Sequence, residues 1–132
     1  RAATGVQLMS DVQMPVLESD SWGAVHEYLA AEKTKGDEAR ETQIIVADSS
    51  SAADSVPYYE VDFTAPSVIV IGSEATGPSQ AAFECPGRIV KVRIPMARSL
   101  ESFNAGVAGA VLFAEAAKQR QIQTEKEMRR GL

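Results

Sequence analysis

Two segments carry residue types and spacings suited to holding a small polar ligand. The first is Val70-Ile71-Gly72-Ser73-Glu74-Ala75-Thr76-Gly77-Pro78, directly after an unbroken β-branched run. Gly72 and Gly77 let the main chain turn tightly and approach a ligand closely. Glu74 sets one carboxylate at a strand end, where it could position a hydroxyl or an amine. The spacing is not a Walker phosphate loop, since no Gly-Lys-Ser/Thr follows, and it is not Gly-x-Gly-x-x-Gly. An ordinary strand-to-helix turn, with Glu74 favoured near a helix N-terminus, fits the same residues.

The second segment is Ile94-Pro95-Met96-Ala97-Arg98-Ser99-Leu100-Glu101-Ser102-Phe103-Asn104. Pro95 ends a strand, and a helix opens on hydroxyls and an amide. The first N–H groups of such a helix lack intrahelical partners and suit a ligand's oxygen atoms. Ser102 and Asn104 stand about 200° apart on a regular helix, so both face one site only if Ser102 is the cap. Alternatively Ser99 or Ser102 is a plain N-cap and Asn104 a surface residue.

Other reactive residues point to structural roles. One cysteine and one histidine are too few for a Cys/His metal site, so no metal is expected. His26 lies beside the apolar face of a helix and is expected to be structural. Cys85 precedes Pro86-Gly87 as a small loop or core residue; a lone thiol builds no disulfide framework and suits a reducing compartment. Tyr58-Tyr59 could stack on bases or cover a sheet edge.

The elements that must position these segments follow from periodicity. Ser19, Asp20 or Ser21 can cap a helix whose Trp22, Val25 and Leu29 form one face. Gln43–Ala47 is predicted as a buried strand, and residues 48–57 as a loop or broken turn. Ser67–Gly72 is the clearest strand, and its continuous apolar character predicts burial on both faces. A short helix around Ser79–Phe83, a strand Arg88–Ile94 and a long helix from Ser99 or Ser102 to about Gln121 complete the chain. In that last helix Leu100, Phe103, Val107, Val111 and Ala114 form the expected apolar stripe. The small residues Ala105-Gly106-Val107-Ala108-Gly109-Ala110 suggest close helix-on-sheet or subunit packing. Alternating strands and helices mean an α/β fold with a mostly parallel sheet flanked by helices.

With 132 residues, 45% hydrophobic and 23% charged, the chain fits one globular domain. No apolar run approaches the ~18 residues of a membrane span, so no membrane is expected. The net charge of −5 argues against a surface wholly built for nucleic acid. Arg88, Lys91, Arg93 and Arg98 nevertheless form a strip without acids, able to contact phosphate or to sit as a solvated strand edge. Residues 122–132 are expected as a charged C-terminal tail.

Together the two segments resemble the SpoU-type (SPOUT superfamily) RNA ribose 2′-O-methyltransferases. Ile71-Gly72-Ser73-Glu74-Ala75-Thr76-Gly77-Pro78 is similar to that family's second motif. Ile94-Pro95-Met96 with Glu101-Ser102-Phe103-Asn104-Ala105-Gly106-Val107-Ala108 is similar to its third. Phe103 stands where leucine is usual.

The resemblance implies a deep C-terminal trefoil knot, a homodimer and S-adenosyl-L-methionine as cofactor. It implies cofactor contacts at Gly72, Ser73, Glu74, Gly77, Ile94, Pro95, Met96, Ser102 and Phe103. Glu74, Ser102 and Asn104 are the implied catalytic positions, with Arg93 and Arg98 toward RNA. The expected reaction is methyl transfer to a ribose 2′-hydroxyl of rRNA or tRNA. The family's first motif, with its Asn and Arg, has no counterpart here. Residues 1–132 are therefore expected to be the C-terminal portion of such a domain, with N-terminal strands missing and little activity alone. The alternative is a non-catalytic RNA-binding or scaffolding module that keeps the fold. The compartment is open: intracellular, in the cytoplasm or an organelle.

Overall fold

A computed structural model describes residues 17–35, 41–48, 53–73, 76–95 and 105–131, with no description of the side chains of 33–35. The sheet is built around β1 (Gln43–Ala47). Its Ile44, Ile45 and Val46 are completely buried, because a short β-branched run is flanked by strands on both sides and covered on both faces. The strands β3 (Ser67–Ile71) and β4 (Arg88–Arg93) run parallel to it on either side, with Ala47 opposite both Ile71 and Val92. A two-residue strand, β2 (Val56–Pro57), pairs in parallel with β4, giving the order β2-β4-β1-β3. The expected parallel α/β sheet is therefore present.

Two details of the sheet differ from the sequence reading. The strand predicted to be buried on both faces, β3, is half-buried along its whole length. Among the described residues it is an edge strand, and position in the sheet order, which a local apolar run does not encode, decides burial. The segment 48–57, predicted as loop, contributes β2. Pro57 has no N–H to give a central ladder but is tolerated at an edge.

Pleating sends alternate residues to opposite faces. Ile44 and Val46 pack with Cys85, Phe83 and Ile89, and with Trp22 and Leu29 of α1 (Trp22–Lys35). Ile45 and Val92 pack with Val61, Phe63 and Leu112, the last from α2 (Ala105–Arg130). Helices thus cover both faces. The Ser21 hydroxyl accepts from the Ala24 N–H at 3.2 Å, the cap expected for α1. His26 is structural, its Nε2 lying 2.9 Å from the Ala81 carbonyl oxygen. That carbonyl belongs to a short 3-10 helix (Gln80–Glu84) capped by Ser79. Tyr58 packs on the core at the sheet edge, while Tyr59 is exposed.

The buried side of α2 is not the predicted stripe. Gly109, Leu112 and Glu115 are buried; Val107 is 41% exposed and Ala114 is exposed, while Leu100 and Phe103 lie outside the described residues. The helix is rotated so that a glycine and two polar residues, Glu115 and Gln119, meet the sheet side. It also continues past Gln121 to Arg130, through most of the expected tail. Spaced pairs, Gln121 with Glu125 at 3.3 Å and Gln123 with Glu127 at 2.9 Å, support those exposed turns. The segment that would thread a knot includes residues 96–104, outside the described residues.

Candidate functional site

Because β3 and β4 both run parallel to β1, their following loops leave the same edge of the sheet. Ile71 and Val92 share Ala47 as partner, so these strand ends stand about 10 Å apart, two strand spacings. That is the width of a nucleoside. Ligands in open parallel sheets collect at this carboxyl edge.

The loop after β3 is held shut by its own main chain. The Gly77 N–H donates to the Ser73 carbonyl at 2.8 Å, and the two residues form an antiparallel bridge. The Ser73 and Thr76 hydroxyls lie 2.6 Å apart, and the Thr76 N–H donates to Ser73 Oγ at 3.1 Å. Gly72 is pressed so closely against Gly77–Pro78 that a β-carbon there would lie 2.2 Å from the Pro78 nitrogen. Gly77 has φ of 70°, and a β-carbon on it would meet nothing within 4 Å. Among the described residues, bare main chain therefore faces open space at Gly77.

On the other side, Ile94 packs against the Ile45–Val92–Leu112 core while Pro95 is exposed. The ladder continues one residue past β1, with the Asp48 N–H donating to Val92 O at 3.1 Å. The helix α2 passes over the end of β3: a β-carbon on Gly109 would lie 4.0 Å from Ile71 Cγ1.

Of the residues singled out in the sequence, Gly72, Ser73, Gly77, Ile94 and Pro95 stand at this edge. Glu74, Met96, Arg98, Ser102, Phe103 and Asn104 lie outside the described residues. Arg93 donates through Nη1 to the carbonyl and hydroxyl oxygens of Ser55. Lys91 is ion-paired with Asp54 at 3.0 Å, its ammonium 5.2 Å from the Phe83 ring centre. Part of the basic strip thus fastens the segment before β2 to β4. Sequence reasoning missed Thr76, whose signal was its hydroxyl three residues after Ser73. No cluster of metal-ligating side chains occurs among the described residues.

The SpoU rRNA Methylase family model matches residues 9–114, a span that takes in the whole sheet and both loops. The chain belongs to that family.

Individual members are similar over shorter stretches. An "uncharacterized tRNA/rRNA methyltransferase" from Mycolicibacterium gilvum is 46% identical over 63 residues, covering 48% of this chain and 19% of its own length. The tRNA (guanosine(18)-2′-O)-methyltransferase of Aquifex aeolicus is 38% identical over 68 residues, covering 52% and 31%. Among solved structures, the SpoU methyltransferase AviRb of Streptomyces viridochromogenes with AdoMet superposes with a TM-score of 0.68 at 29% identity. The superposition covers 81% of this chain and 39% of AviRb. The chain thus spans between about a fifth and a third of the length of those two curated relatives.

Proposed function

We propose that this chain forms the cofactor-binding part of an S-adenosylmethionine-dependent RNA ribose 2′-O-methyltransferase. The observation that carries the reading is the bare main chain of Gly77, in a turn closed against Gly72, at the carboxyl edge of a parallel sheet, about 10 Å from the strand end that leads to Ile94–Pro95. The similarity to AviRb, solved with AdoMet, and to a tRNA 2′-O-methyltransferase supports it.

The residues at this edge fit the cofactor. Main-chain groups of Gly72, Ser73 and Gly77 would hold it on one side, with Ile94 and Pro95 closing the other. When bound, S-adenosylmethionine supplies an electrophilic methyl group on a sulfonium. What this chain adds is position: the Ser73–Gly77 bridge keeps the main-chain groups of Gly72, Ser73 and Gly77 aimed without reorganisation. Glu74, Ser102 and Asn104, with Met96 and Phe103, take the cofactor and ribose contacts on the strength of their motif positions. Arg93 and Arg98 are assigned to rRNA or tRNA phosphate on the strength of the sequence resemblance.

Further parts of the reading are a knotted C-terminal segment, N-terminal strands beyond those described, and a homodimer. Calorimetric titration of S-adenosylmethionine tests the core of it. Binding that Asn104→Ala weakens is the expected result, and no binding by the parent chain would contradict it.

A further inference from the structure

Segment 61–66 is irregular, yet side chains satisfy its main chain. Gln119 meets it at both ends of one amide: Nε2 donates to Val61 O at 2.9 Å, and Oε1 accepts from the Phe63 N–H at 2.8 Å. The neighbouring Arg120 donates to Phe63 O at 2.9 Å and to Ala65 O at 3.2 Å. From the sheet, Gln43 Nε2 donates to Asp62 O at 2.7 Å. Glu115, itself 8% exposed, accepts from Gln119 at 3.2 Å and from Lys118 at 2.7 Å, so the Gln119 amide is oriented from behind.

An apolar helix face tolerates sliding far better than a paired amide does. Two hydrogen bonds to main chain two residues apart admit one axial position, and a shift of one residue moves a helix by about 1.5 Å and turns it by about 100°. The helix α2 reaches the site through its other end, where Gly109 lies over Ile71, the residue before Gly72. Ala105, about 21 Å of helix from Gln119, is covalently next to Asn104.

We propose that Gln119 is a positioning residue for the cofactor site, fixing the register of α2 on the sheet and so where its first residues stand relative to the loops after β3 and β4. This rests on the cofactor reading above. The test compares S-adenosylhomocysteine binding by calorimetry in the parent chain, Gln119→Met and Ile44→Val, well below every unfolding midpoint. Ile44→Val trims the opposite face and controls for lost stability. The expected result is about tenfold weaker binding in Gln119→Met, within the range over which coupled sites act on one another, and parent-like affinity in Ile44→Val. Should Gln119→Met not fold, Arg120→Leu replaces it, with weakening expected in the same sense. Parent-like affinity in Gln119→Met, or in Arg120→Leu where that replaces it, overturns the positioning role and leaves the cofactor reading standing. Absence of binding by the parent chain overturns the cofactor reading and this inference with it.

Discussion

Gly72 and Pro78 touch through main chain alone: a β-carbon on Gly72 would stand 2.2 Å from the Pro78 nitrogen and 2.3 Å from the Gly77 carbonyl carbon. No rotamer relieves such a clash, since every atom involved is backbone. The Gly72→Ala variant is expected to lose about 2 kcal/mol of stability or more and to open the loop. Denaturant unfolding with a parallel cofactor titration checks both effects.

Gly77 should behave differently. Its φ of 70° strains a side chain, but a β-carbon would meet nothing within 4 Å. Gly77→Ala is expected to cost about 1–2 kcal/mol, and Gly77→Asn less, because asparagine tolerates the left-handed region. The same unfolding experiment separates them; equal cost for Gly72→Ala and Gly77→Ala would contradict the packing described for the loop.

Gly109 tests whether α2 needs a glycine where it crosses β3. The nearest atoms to a β-carbon there lie at 3.9 Å and 4.0 Å, ordinary contact. Gly109→Ala is therefore expected to raise stability by up to about 1 kcal/mol, the helix-propensity difference. A fall in the thermal midpoint would show that the helix sits closer to the sheet.

Glu115 gives the Gln119 contacts with Val61 and Phe63 a pH dependence. Burial alone would raise its carboxyl pKa, but hydrogen bonds from Lys118 and Gln119 and the Lys118 charge outweigh it, and the net shift is downward. A lowered folded value means a stability contribution that is complete above the unfolded value of about 4.3 and is lost as pH falls through the folded one. Acidification across that window is expected to lower the unfolding midpoint of the parent more than that of Glu115→Gln. Parallel curves would remove Glu115 from the account.

The alternation of strands and helices, a cap at Ser21 among the three residues offered, and the glycine-bounded turn after β3 were legible in the sequence because each depends on neighbours in the chain. The order β2-β4-β1-β3 was not, and so β3 was expected to be buried on both faces although only β1 is. The strand β2 is too short to have a period, and its proline argues locally against a strand. The face of α2 was misplaced because a stripe counts apolar residues, whereas Gln119 faces inward to reach Val61 and Phe63. At the site, the Gly72–Gly77 turn was legible from spacing, but the Ser73–Thr76 hydroxyl pair and the anchoring of Arg93 on Ser55 depend on contacts no spacing encodes.

Amide hydrogen exchange with and without S-adenosylmethionine tests the central claim most directly. Slower exchange at Gly72–Gly77 and around Ile94, with the Ala81–Cys85 segment on the opposite face unchanged, is the predicted result. Protection confined to that segment and α1, or no protection at saturating cofactor, would contradict a binding site at the carboxyl edge of β3 and β4.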